Sequence, residues 1–221
     1  MRFLTVLKAF IIIFLCVVFH SVSAEITFPL SEKEKEKALE QEKEFPINWD
    51  KSTVSRGFGK IIPDLSEKPD LIQQFKAGEV AYFFSDYAKA ISLWLPLAEA
   101  GLADAQANIA WIYQQGLGTK RDFQQAKLWY LKAVKQNHPV AQNNLGAMYE
   151  HALGIEKNSQ LAFKYYQLSA KNEYRFAYYN LGNAYLNGLG TMVDNEAAKH
   201  WLQKAMDSKV EQAEKLLSNI E

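Results

Sequence analysis

Three consecutive stretches of this chain, residues 103–138, 139–174 and 175–210, can be written under one another without a gap, at a period of 36. Matching columns include Ala105, Ala141 and Ala177; Asn108, Asn144 and Asn180; Ile109, Leu145 and Leu181; Ala110, Gly146 and Gly182; and Tyr113, Tyr149 and Tyr185. The second half of each copy repeats through Gly118, Gly154 and Gly190; Asp122, Asn158 and Asp194; Ala126, Ala162 and Ala198; and Trp129, Tyr165 and Trp201. Self-similarity at a fixed period of this length marks one supersecondary motif that cannot bury its apolar face alone and therefore stacks on copies of itself. Within a copy the apolar positions fall at helical spacing, Ala105, Ile109 and Tyr113 on one helix and Ala126, Trp129, Tyr130 and Ala133 on the next, so each copy reads as a helical hairpin. The small residues at 110, 146 and 182 let paired helices approach, and the large aromatics of the second helix fill the space between neighbouring hairpins.

The array extends past both ends of the three copies. Residues 86–102, DYAKAISLWLPLAEAGL, match the second half of a copy, with Asp86, Ala90 and Trp94 in the columns of Asp122, Ala126 and Tyr130. A helix over about 71–84 precedes them across a shorter turn that lacks the glycine pair. Downstream, Ala213 and Leu217 continue the columns of Ala177 and Leu181, with Glu211, Glu214 and Lys215 as a polar outer cap. The expected fold is therefore all-α, a solenoid of about four helical hairpins plus a C-terminal capping helix over residues 71–221.

Residues 1–70 have a different character. Arg2 and Lys8, the apolar run Ala9 to Phe19 and the small-residue exit Val22-Ser23-Ala24 read as a secretory signal peptide over 1–24. An uncleaved anchor is the alternative, but the run is 11 residues long and a spanning helix needs roughly 20. Cleavage would leave no membrane insertion. Cys16 is the single cysteine and lies in that leader, so the mature chain would have no thiol for catalysis, metal binding or a disulfide. Residues 25–70 combine an alternating acid and base run (31–44) with a stretch of prolines, glycines and isolated aromatics, and read as a charged and irregular linker. The chain carries 25 basic and 25 acidic residues; without Arg2 and Lys8, 25 less 2 leaves 23 basic, a net of −2 with no basic run. Nucleic acid is not an expected partner.

The alanine, Asn-Leu-Gly, tyrosine, Gly-Leu-Gly, Asp and Ala with Trp-Tyr pattern resembles the Sel-one-like repeat (SLR) family, closely over 103–221 and more loosely over 71–102, where the short turn looks like a tetratricopeptide hairpin. The resemblance implies a right-handed α-solenoid whose first helices line a concave surface, used mostly as an adaptor or scaffold. Some secreted members carry a disulfide in each repeat and have been linked to penicillin binding. With no cysteine in its mature part, this chain departs from that group, and the activity is not carried over.

The stretch YQQGLGTKRDF, Tyr113 to Phe123, invites comparison with a phosphate-binding loop. Such a loop usually joins a strand to a helix, whereas a helix precedes this one. Its TKRD also becomes IEKN and TMVD in the later copies, so the positive charge is lost while Gly118, Gly154 and Gly190 stay. A turn with a left-handed helix ending and an Asp or Asn N-cap accounts for what persists. His138, His151 and His200 show no i, i+4 pairing, so no metal site is expected, and no nucleophile elbow or repeated acid pair points to catalysis or to a cofactor.

Two kinds of column bear on binding. Asn108, Asn144 and Asn180 stand at one height on successive first helices; their amides either hold an extended peptide, as the matching asparagine of tetratricopeptide domains often does, or satisfy groups inside the solenoid, and the structural role is the favoured one. Columns that vary are better specificity candidates: Trp111, Ala147 and Asn183, and four positions earlier Ala107, Asn143 and Tyr179. Trp111 and Tyr179 would be apolar anchors, with Asn143 and Asn183 as polar contacts. The expected function is a monomeric, non-catalytic adaptor, periplasmic or secreted and, from the family, bacterial, binding a protein or peptide. A cell-wall hydrolase or penicillin-binding enzyme and a secreted virulence-associated factor are the alternatives.

Overall fold

A computed structural model describes residues 69–220 of the chain; the expected signal peptide (1–24) and nearly all of the expected linker (25–70) lie outside the described residues. The described part is helical, without strands. It runs α1 (Pro69–Phe83), α2 (Tyr87–Glu99), α3 (Ala103–Gln115), α4 (Phe123–Val134), α5 (Pro139–Glu150), α6 (Ser159–Lys171), α7 (Arg175–Asn187), α8 (Asn195–Asp207) and α9 (Gln212–Leu217). Consecutive helices pack on each other throughout, so α1–α2, α3–α4, α5–α6 and α7–α8 are four hairpins and α9 closes the last one. This is the α-solenoid that the period implied. No helix of the described residues is long and apolar enough to cross a membrane.

Each glycine turn does two jobs, at positions two residues apart. First helices end on a left-handed residue, Gly116 (φ 74°), Ala152 (φ 55°) and Gly188 (φ 65°), and the following amide reaches back five residues, Leu117 to Ile112, Leu153 to Met148 and Leu189 to Ala184. The glycine that persists in all three copies comes later. Gly118, Gly154 and Gly190 are left-handed too, and they also rest on the start of the preceding hairpin's second helix, where an added Cβ would strike Tyr87, Phe123 or Ser159. Left-handed geometry alone therefore does not account for that column, since Ala152 supplies it without glycine; close approach between hairpins does.

The N-caps follow the sequence. Asp122 accepts from the amides of Gln124 and Gln125, Asn158 from Leu161 and Asp194 from Ala197, and the backbone amide of each cap donates to the carbonyl of Tyr113, Tyr149 or Tyr185. The shorter first turn is bridged by Ser85 in the left-handed region, with Asp86 capping α2.

Links between hairpins repeat as well. Gly101, Asn137, Glu173 and Lys209 all have positive φ, 36 residues apart. A side-chain amide from the hairpin ahead grips this link: Gln136 Nε2 donates to the Gly101 carbonyl and to Gln106 Oε1, and Asn172 Nδ2 donates to the Asn137 carbonyl and to Gln142 Oε1. Apolar packing supplies the main driving force. Ala105, Ile109, Tyr130, Ala141, Leu145, Ala177, Leu202 and Ala205 are all fully buried. Two core clusters result, one reaching from α1 through α5 and the other from α6 to α9, so they meet inside the third hairpin.

Candidate functional site

The packing fixes how α1 aligns with the later first helices. Gly78 lies against Trp94 as Gly146 lies against Tyr166 and Gly182 against Leu202, so the small-residue column reads Gly78, Ala110, Gly146, Gly182. The offset from α1 to α3 is therefore 32 residues, from Gly78 to Ala110, rather than 36. With that offset the next column begins four residues later than the period suggests: Glu79, Trp111, Ala147, Asn183. All four are half-buried, beside a small-residue column whose Ala110 is fully buried.

The seven sequence-derived candidates divide into groups. Asn180 Nδ2 donates to Asn143 Oδ1 at 2.8 Å, Asn143 Nδ2 approaches Asn144 Oδ1 at 3.4 Å, and Asn144 Nδ2 donates to the Tyr130 hydroxyl at 3.1 Å. These three asparagines form one hydrogen-bonded chain between α7, α5 and the buried ring of α4. Burial of Tyr130 raises its phenol pKa far above the ordinary value, against which the Asn144 bond works only partly. Trp111 Nε1 donates to the Tyr82 hydroxyl of α1 at 2.9 Å, so its indole is fixed in orientation while one part stays open to solvent. Tyr179 is half-buried against the C-terminal core, and Asn183 accepts twice from Asn187 on its own helix. Trp111 and Tyr179 lie two hairpins apart, on α3 and α7. Asn108 is 7% exposed and its Nδ2 has no partner.

A group that the sequence did not single out stands beside Asn108. Asp104, one turn earlier on α3, is 7% exposed; its Oδ1 faces His138 Nε2 at 3.2 Å, and its Oδ2 has no partner. His138 caps α5, its Nδ1 accepting the Ala141 amide. That bond leaves the ring proton on Nε2, which donates to Asp104. Glu79 on α1 feels the same carboxylate. Burial first and the Asp104 charge second raise its pKa to about 7, while Lys76 pulls the other way. Among the described residues no group of three or more His, Cys, Asp or Glu is arranged to hold a metal ion. Two open depressions lie elsewhere: one of about 440 Å³ at the first glycine turn, lined by Tyr113, Lys120, Arg121 and Gly154 among others, and one of about 600 Å³ beside α8, with Lys199, His200 and Leu217.

Comparison with known proteins agrees with this architecture. The Sel1 repeat family model matches residues 103–138, 139–174 and 175–208. Among solved structures the chain is similar to a Sel1 repeat protein from Oxalobacter formigenes, 32% identical with a TM-score of 0.52, over 57% of this chain and 95% of that one. It is also similar to c5321, a protective antigen present in uropathogenic Escherichia coli strains and displaying an SLR fold, 27% identical with a TM-score of 0.61 over 67% of this chain. A stretch of 61 residues is 36% identical to the ERAD-associated E3 ubiquitin-protein ligase component HRD3 of Candida glabrata, 28% of this chain. The chain spans 33% of the antigen and 7% of the fungal protein.

Proposed function

The chain belongs to the Sel1-repeat family, typically protein–protein interaction scaffolds, and from that premise we propose that it is an exported adaptor that binds a protein or peptide on the face of its first helices and performs no chemistry of its own. The observation that carries this reading is the column Glu79, Trp111, Ala147, Asn183. Four successive hairpins hold one backbone geometry and one buried neighbour column, yet present an acid, an indole, a methyl and an amide at the same partly exposed place. Packing constrains a column to one size and polarity; a column freed from that constraint is where an extended partner can be read residue by residue. The spare amide of Asn108 on the same helix favours a polar, backbone-bearing ligand over an apolar small molecule. The basic and apolar start of the chain supports export from a bacterial cytoplasm to the periplasm or beyond, and the likeness to a protective antigen leans the same way.

The test is capture of partners from the producing cell's envelope by the mature chain, compared with the double variant Trp111→Ala/Tyr179→Ala. Loss of the same partners with helicity retained supports the face; undiminished capture by a folded double variant refutes it.

A further inference from the structure

We propose that the notch formed by Glu79, Asp104 and Asn108 is a subsite for a lysine or arginine side chain of an extended peptide, with the Asn108 amide holding a backbone carbonyl beside it. The inference rests on reading the first-helix face as a binding surface and adds to it the chemistry of one occupant. Asp104 and Asn108 are four residues apart on α3, hence on one side of it, and each is 7% exposed. Between them they leave one acceptor, Asp104 Oδ2, and one donor, Asn108 Nδ2, without partners. Buried polar groups are normally paired, because an unpaired one opposes folding, so two complementary unpaired atoms one turn apart on one helix call for an explanation.

The vacancy at Asn108 has a structural cause. In the α7–α5 pair the column asparagine, Asn180, donates to Asn143 of the preceding first helix. With the 32-residue offset of α1, the residue standing before Asn108 as Asn143 stands before Asn180 is Phe75, which has no side-chain acceptor and is packed into the core. The amide therefore stays without a partner.

Charge selects what fills the acceptor side. Asp104 brings one carboxyl group and Glu79 another. The His138 Nδ1 accepts the Ala141 amide, and its Nε2 meets only Asp104 Oδ1, leaving Oδ2 open. Lys76, on the helix of Glu79, is the cation acting on Glu79 from its own element, and Asp104 the anion acting from α3. An ammonium or guanidinium supplies the missing donors and the missing charge. Trp111 follows at i+7 from Asp104 with its indole oriented by Tyr82, which gives the aliphatic stem and the cation an aromatic surface. A cation beside Glu79, whose pKa burial and Asp104 raise to about 7, would favour its ionised form, the proton passing to solvent.

The test uses the mature chain and an immobilised library of extended decapeptides in which one central position is Lys, Arg, norleucine, Gln or Glu. The expected result is capture of the Lys and Arg peptides over the norleucine and Glu peptides by a factor on the order of ten. That preference should strengthen from about pH 6 to about pH 8 as Glu79 ionises. Glu79→Gln, which leaves the Asp104–His138 contact in place, should remove the pH dependence and weaken the preference; Asp104→Asn should abolish it, with melting temperature measured for both. Capture that depends on Trp111 and Tyr179 but shows no charge preference overturns the subsite and leaves the face standing. Capture of no peptide by the unaltered chain, or capture indifferent to Trp111 and Tyr179, overturns both.

Discussion

Replacing Ala152 by glycine should make the protein more stable, although it deletes a methyl group. Ala152 ends α5 with φ 55°, in the column occupied by Gly116 and Gly188, and the amide after it makes the same five-residue bond as theirs. A β-carbon in the left-handed region costs about 1–2 kcal/mol. The new glycine returns about 0.4–1 kcal/mol of that through the greater freedom of the unfolded chain. Ala152 is exposed, so little packing is lost. The net gain is about 0.5–1 kcal/mol, which for a chain of this size corresponds to a rise in melting temperature of about 1–4 °C. Gly188→Ala is the opposing control. Its φ of 65° gives the same strain, and its Cβ would sit 3.2 Å from Val193, an exposed side chain that can move aside. It should lose about 1 kcal/mol or somewhat more. Thermal melts followed by far-ultraviolet circular dichroism measure both. A lower melting temperature for Ala152→Gly, or an unchanged one for Gly188→Ala, would refute the assignment of this column as a conformational requirement.

Tyr166→Phe removes a hydroxyl that donates to Glu150 Oε2 at 2.6 Å and leaves a largely buried carboxylate short of a donor, so about 1.5–3 kcal/mol should disappear in urea titration. The folded pKa of Glu79, about 7, lies above its ordinary 4.5, so its contribution to stability is whole below the ordinary value and lost as pH rises through 7. Glu79→Gln should therefore melt near the parent at pH 5 and above it at pH 8; a constant difference would contradict the shift. His138→Ala deletes both the α5 cap and the donor to Asp104 and should cost about 1–2 kcal/mol, whereas His138→Asn, which can still cap, should recover part of it in the same melts.

The period and the residue columns made the hairpins, their N-caps and the closing helix legible, because each depends on contacts repeated every 36 residues. What repetition conceals is any contact made once. Glu79 was not recognisable as the partner of the Trp111 column, since the short turn at Ser85 shifts α1 by four residues against the period. His138 occupies a position held by Leu102, Tyr174 and Val210 in the other hairpins, and nothing in its local sequence shows that Asp104, 34 residues earlier, lies within reach. The asparagine column shows a third limit. Asn144 and Asn180 engage neighbours within the solenoid whereas Asn108 does not, and the difference lies in the preceding helix rather than in the column itself. The glycine columns carry a related lesson: strict repetition at 118, 154 and 190 reflects what the next hairpin rests on, and that is visible only once the hairpins are stacked.

The links at Gly101, Asn137, Glu173 and Lys209 share one backbone conformation, and Tyr87, Phe123 and Ser159 offer interchangeable seats for the glycine of the hairpin ahead. Any segment cut from one link to the next therefore leaves two ends that already fit. Excising 139–174 would bring Gly190 down onto Phe123, a seat that Gly154 now occupies. A gene encoding such a chain can lengthen or shorten its product by recombination in whole turns of the solenoid, losing or gaining reading positions without redesigning a joint. The reach of the protein is thus heritable in steps of one hairpin.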